Sequence, residues 1–247
     1  MNAHHMRLLL PRSAKGAAVN IVSSSHVGSQ LKALLDIPAK RICRVPLGVD
    51  YDFFSAKALP AACLPFKDGR PYLLFVGNIE PKKGLSCLIQ AYAKVAASVR
   101  CDLVLAGRVA WKSGSLLKQI ENYDGPGQIH ILGRVPQADL PGLYQYAQAF
   151  VFPSLIEGFG LPILEAMAAG VPVVHSDHPV LLETAGDAGL PFAVGDSEDL
   201  AKTLLALHES EALRQELSEK GRVRAAEMTW QRWAKGVLSV IENIIVH

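Results

Sequence analysis

The sequence predicts an α/β fold built on a doubly wound parallel sheet, and three observations predict it. Short runs that are almost wholly apolar, such as Tyr72–Val76 and Ala149–Phe152, are strands buried on both faces, as in a parallel sheet covered by helices. Between them lie longer stretches whose apolar residues recur at helical spacing. Glycine-rich segments follow several of the apolar runs, where such domains turn from strand to helix.

Taken in order, residues 19–23 read as a short strand, followed by a serine-rich cap and a helix to about Leu35. A second strand ends at Pro46. Residues 47–70 contain Pro60, Pro65 and Gly69, lack periodicity and read as a linker. Tyr72–Val76 opens the main sheet, and the helix expected over 85–97 carries Leu85, Leu88, Ile89, Tyr92 and Val95 on one face. Strands are expected at Asp102–Ala106, 129–132, Ala149–Phe152 and 171–174, with helices over 140–147 and 162–169. The remainder reads as three helices over 199–208, 212–226 and 230–246.

At 247 residues, the chain is long enough for one large domain or one domain and part of another, at roughly 150 residues per domain. Half of the residues are hydrophobic and only 19% are charged, which excludes disorder. A net charge of +2 is no nucleic-acid signature. The four cysteines form no C-x-x-C pair, so buried thiols in a reducing compartment are expected. No apolar stretch reaches the ~20 residues of a membrane span, and no signal peptide is recognised at the N-terminus.

Charge is distributed unevenly. Residues 1–50 hold seven bases and two acids, whereas residues 135–201 hold nine acids and no lysine or arginine. A phosphate bound near the acidic stretch must therefore be held by backbone amides and by bases from elsewhere.

Three strand-to-helix loops are candidates for chemistry: residues 77–84, 107–114 and 154–161. In the third, Gly158 and Gly160 flank Phe159, and Pro162 suits a first helical position. Glycine lets backbone approach a ligand, and free amides at a helix start favour an anion. Glu165 lies on the same helical face as Leu161. Glu157 and Glu165 each have a plain reading as exposed acids, as Lys82 and Lys83 have as a solvated pair. Together, the two carboxylates could grip hydroxyls at opposite ends of one ligand while the amides between them take its phosphate, as for a nucleotide sugar. The lysines, on the loop leaving the first sheet strand, should reach the same rim. Arg108, Arg134 and Trp111 also lie on rim loops. There is no Walker A sequence, no G-x-G-x-x-G, no H-E-x-x-H and no G-x-S-x-G, and the two histidines of His175-Ser-Asp-His178 are an ordinary strand-end turn.

The stretch EGFGLPILEAMAAGVPVV resembles glycosyltransferase family 4, retaining enzymes of the GT-B fold, and matches its E-x7-E motif with Glu157 and Glu165. VGNIEPKKGLSCLIQAYAKV resembles that family's phosphate-binding loop in the form common among mannosyltransferase-like members, and the likeness runs over about residues 19–245. The resemblance implies a catalytic pair, Lys83 and Glu157. Lys83, with Lys82, would neutralise the donor diphosphate, and Glu157 would contact the transferred sugar. The segment from Gly158 through Phe159 and Gly160 to Leu161 would meet sugar hydroxyls and phosphate. Glu165 would bind the ribose, and Gly133, Arg134 and Val135 would border the base. No cofactor and no metal are implied; the donor, GDP-mannose or a UDP-sugar, is a substrate.

Where many members carry arginine after the strand glycine or just before the lysine, this sequence has Asn78, Ile79 and Lys82. The domains implied are a remnant of the N-terminal acceptor domain (1–46), a linker (47–70), the donor-binding domain (71–226) and a helix crossing back (227–247). The family's glycine-rich N-terminal loop and N-domain histidine have no match, and His26 does not replace the latter. The expected function is hexosyl transfer, of mannosyl type, to a saccharide or lipid-linked acceptor. Standing alone, the chain is expected to bind donor with little or no transfer. The alternatives are a non-catalytic donor-binding subunit that docks a separate N-terminal-domain protein, an inactive truncated product and, more distantly, a sugar epimerase. No nucleic-acid partner or transmembrane segment is expected, and the protein would be cytoplasmic, with peripheral membrane association allowed.

Overall fold

The structure is a computed structural model that describes residues 3–65 and 69–245, with side chains from residue 9 onward. Helix α1 (Ala3–Gly16) precedes a small parallel unit in which β1 (Asn20–Val22) and β2 (Ile42–Arg44) are joined through α2 (Ser25–Leu35). Ser24 caps α2, its hydroxyl accepting from the Val27 amide. Within the aperiodic stretch that follows, α3 (Tyr51–Ser55) forms, because Asp50 caps it and Phe54 is buried.

The main sheet holds β3 (Tyr72–Val76), β4 (Asp102–Ala106), β5 (Ile129–Gly133), β6 (Ala149–Phe152), β7 (Val173–Ser176) and β8 (Gly189–Phe192). All six are parallel, in the order β5-β4-β3-β6-β7-β8. The helices are α4 (Leu85–Val99), α5 (Gly114–Glu121), α6 (Leu140–Gln145), α7 (Leu161–Ala168), α8 (Pro179–Ala185), α9 (Ser197–Glu209), α10 (Glu211–Glu227) and α11 (Trp230–Ile245). Leu74, Phe75, Phe150 and Phe152 are fully buried at the sheet centre, and the Phe75 and Phe152 rings stack with centroids 6.0 Å apart. The expected doubly wound α/β domain is therefore the one observed.

Strand order reverses between β3 and β6, so the loops leaving these two strands diverge from one crevice. Gly84 makes their close approach possible. Its φ is +65°, and a Cβ there would lie 2.0 Å from the Pro153 carbonyl oxygen. The Lys82 carbonyl accepts from the Leu155 amide at 2.8 Å, pinning the loops together.

The small unit and the main domain are tied by residues near 48 and 229. The Val49 amide donates to the Met228 carbonyl at 2.8 Å, and Gly48 packs against the Thr229 backbone. Gly236 of α11 then packs against the Val45 side chain, just past β2.

Five elements were not expected: α1, α3 within the stretch read as a linker, α5, α8 and β8. Gly114 opens α5 and Pro179 opens α8, so both begin on residues that otherwise punctuate loops. β8 contains Pro191, which is tolerated because the strand lies at the sheet edge. β7 starts at Val173 rather than 171. No helix among the described residues is long and apolar enough to cross a membrane.

Candidate functional site

The β3 and β6 loops bring Lys83 and Glu157 together. The Lys83 ammonium lies 2.5 Å from a Glu157 oxygen and 5.1 Å from the centre of the Phe152 ring. Both side chains are largely shielded, at 13% and 14% exposure. The base that the acidic stretch lacks is thus supplied by the neighbouring loop. Lys82, the expected companion, turns the other way: it is 53% exposed and pairs with Glu80 at 3.3 Å. Ile79, at a place where arginine is common, is fully buried.

Beyond Glu157 the chain enters α7 through Gly160, whose φ is +94°. Among the described residues, the amides of Phe159, Gly160 and Leu161 donate to no protein acceptor. Pro162 in the first turn has no amide to satisfy, and Ile163 already donates to the Gly160 carbonyl at 2.9 Å. The open amides therefore gather just ahead of the helix, beside Lys83 and Glu157, where the helix dipole adds positive potential. Gly158 is exposed, while Phe159 is buried and anchors the loop.

Glu165 and Leu161 line one cavity of about 370 Å³ with Arg134, Val135, Asp50 and Trp230. The Tyr144 hydroxyl donates to Glu165 at 2.7 Å. Burial raises the Glu165 carboxyl above its ordinary range, and the Tyr144 bond partly opposes that shift. A second hollow, of about 480 Å³, shares Arg134 and Val135 and extends along Gly77, Asn78, Gly107 and Arg108. Gly133 bends the chain there at φ +68°, its carbonyl accepting from the Gly107 amide at 2.8 Å. The two hollows adjoin at Arg134 and Val135 and form a groove with Glu165 at one side and two arginines along it.

Trp111 does not reach the groove; it is 67% exposed beneath Lys112. His175 is buried within β7, and His178 sits at the rim, where burial and the nearby His26 lower its ring below the ordinary range. Among the described residues, no three His, Cys, Asp or Glu side chains are grouped as metal ligands. Sequence reasoning passed over Tyr144, Asp50 and Trp230. Tyr144 carries one faint signal, an aromatic with a polar tip inside an apolar helix.

A family model described as glycosyl transferases group 1 matches residues 62–224. O-antigen chain mannosyltransferase B of Escherichia coli is 35% identical over 234 residues, covering 92% of this chain and 61% of that protein. The MMP alpha-(1->4)-mannosyltransferase of Mycolicibacterium hassiacum is 28% identical over 229 residues, covering 90% of this chain and 53% of its own length. The chain thus spans less than two thirds of the length of these relatives. Among solved structures, sucrose-phosphate synthase from Thermosynechococcus elongatus superposes with a TM-score of 0.83 at 22% identity, over 100% of this chain and 63% of its own. Anabaena HepE in complex with UDP and glucose gives 0.84 at 18%, over 98% and 68%. These superpositions carry the fold.

Proposed function

The chain belongs to the glycosyl transferases group 1 family, and on that premise we propose that its groove binds a nucleoside-diphosphate hexose for transfer to a saccharide or lipid-linked acceptor. The observation that carries this reading is the junction of Lys83, Glu157 and the open amides before α7 at the point where strand order reverses. The E. coli and M. hassiacum relatives favour mannose as the hexose.

In this reading the base lies near Arg134 and Val135, and Glu165 accepts from the ribose hydroxyls. The diphosphate takes the Lys83 ammonium and the Gly160 and Leu161 amides. Lys82 stays with Glu80 and contributes only at a distance. Glu157 faces the sugar, and its bond to Lys83 keeps the ammonium aimed at the phosphate. On transfer, the acceptor hydroxyl oxygen bonds to the anomeric carbon on the face from which the diphosphate oxygen departs, as that bond breaks. The hydroxyl proton leaves with the diphosphate, and anomeric configuration is retained. Charge grows on the leaving diphosphate, and preorganised cation and amides stabilise it without reorganisation. No resident metal or cofactor is assigned. In this reading the protein works in the cytoplasm, where nucleotide-sugar donors are supplied, and against the membrane face when the acceptor is lipid-linked.

Trp230 lines the Glu165 cavity and so reports on occupancy. Saturable quenching of its fluorescence by GDP-mannose or UDP-glucose, absent in Trp230→Phe, is the expected result. Fluorescence that neither donor alters, in a folded chain, would contradict the assignment.

A further inference from the structure

The loop that presents the open amides is held by its carbonyls from two sides. The Ser23 hydroxyl, in the small N-terminal unit, donates to the Gly158 carbonyl at 2.9 Å across 135 residues of sequence. The Thr184 hydroxyl, buried in α8, donates to the Phe159 carbonyl at 2.5 Å. Across a trans peptide plane, a carbonyl and the following amide point in opposite directions. Fixing the Gly158 carbonyl therefore aims the Phe159 amide away from Ser23, and fixing the Phe159 carbonyl aims the Gly160 amide away from Thr184.

Ser23 is itself fixed by a clamp two residues further on, at Ser25. Glu183 of α8 accepts from the Ser25 amide at 3.0 and 2.8 Å and from the Ser25 hydroxyl at 3.0 Å, and it pairs with Arg44 of β2. The His26 and His178 rings meet edge to face, with centroids 5.5 Å apart. Helix α8 is braced from behind by Arg224, which donates to the Glu183 and Thr184 carbonyls at 2.8 and 3.1 Å. One short helix thus joins the docking of the small unit to the shape of the donor loop.

We propose that Ser23 and Thr184 are positioning residues that aim the Phe159 and Gly160 amides at the sugar-phosphate end of the donor, with Glu183 holding Ser23 in place. This inference rests on the donor-site reading above. Its signature is a selective loss: the base and ribose end, at Arg134 and Glu165, lies outside the clamp.

The test is titration of Ser23→Ala, Ser23→Thr and Glu183→Ala with GDP-mannose and GMP, and with UDP-glucose and UMP. For the pair that the wild type binds, Ser23→Ala is expected to weaken the sugar nucleotide about three- to tenfold, the range of one hydrogen bond. The monophosphate should change less than about twofold, and Ser23→Thr should restore affinity. Glu183→Ala should reproduce the selective loss, and the double variant with Ser23→Ala should add little, since both act through one contact. If Ser23→Ala fails to fold, Glu183→Ala reads the same ratio. Unchanged sugar-nucleotide affinity in the folded variants, or equal loss for both ligands, would overturn the inference while leaving the donor site standing. A folded wild type that binds none of the four probes would overturn both.

Discussion

Lys83 and Glu157, 74 residues apart in sequence, meet at 2.5 Å across the two loops that part at the centre of the sheet. The pair is shielded but not sealed, so each ion keeps capacity for a ligand: the ammonium has three donors and the carboxylate a second oxygen. An ion pair between these two loops has a use beyond stability. It holds a cation beside a helix entrance whose amides are open, without burying the cation alone.

Replacing Lys83 by Met should remove the charge that faces the diphosphate. A hydrogen bond to a charged group contributes about 1.5–3 kcal/mol, so GDP or UDP affinity should fall roughly ten- to a hundredfold. Lys83→Arg should retain most of it. The uncompensated Glu157 should also lower Tm. Calorimetry with each diphosphate and a melting curve check both.

Glu165→Gln should separate stability from binding. Burial holds the wild-type carboxyl above its ordinary range, so the fold favours the protonated form. The wild type therefore loses stability as pH rises from the ordinary glutamate value through the raised one, whereas Gln does not titrate. The variant should be the more stable at neutral pH, with the gap closing under acid conditions. It should bind nucleotide about tenfold more weakly, having lost a charged acceptor for ribose. Denaturant titrations at several pH values, paired with calorimetry, read the two effects.

Gly84→Ala should be severe although it removes nothing. The added Cβ would meet the Pro153 oxygen in a left-handed conformation, forcing the β3 and β6 loops apart. Strain and overpacking together should cost about 2–4 kcal/mol. Donor affinity should fall with it, because the Lys83–Glu157 contact spans the same two loops. Thermal melts and donor titration of the soluble variant check this.

Chelation by EDTA should leave donor affinity unchanged within about twofold, because Lys83 and the α7 amides supply the positive potential. Restoration of lost binding by added magnesium or manganese would contradict that division of labour.

Much of this site was legible in the sequence because its residues carry local marks. The glycines around Phe159, Pro162 at a helix start and the absence of any base from 135 to 201 together point to amides and an imported lysine. The i, i+4 spacing of Leu161 and Glu165 put them on one face, and both line one cavity. What stayed hidden depends on tertiary contact. Nothing local separates Lys82 from Lys83; the turn after Glu80 sends one to solvent and the other to Glu157. Whether Glu165 faced water or the interior depends on residues distant in sequence, among them Tyr144 on another helix, whose hydroxyl donates to it. The α8 clamp was hidden twice over, since the helix is short and opens on proline, and its partners in the small unit, Ser25 and Arg44, lie 158 and 139 residues from Glu183.

The central claim is that the groove from Arg134 to Glu165 and the Lys83–Glu157 junction form one nucleotide-sugar site. The most direct test is calorimetric titration of the chain with GDP, UDP, GDP-mannose and UDP-glucose, beside Glu165→Ala. Binding of the nucleotides of one base, stronger for the sugar-bearing form and lost in the variant, is the predicted result. A folded chain that binds none of them, or binds them equally well without Glu165, would contradict it.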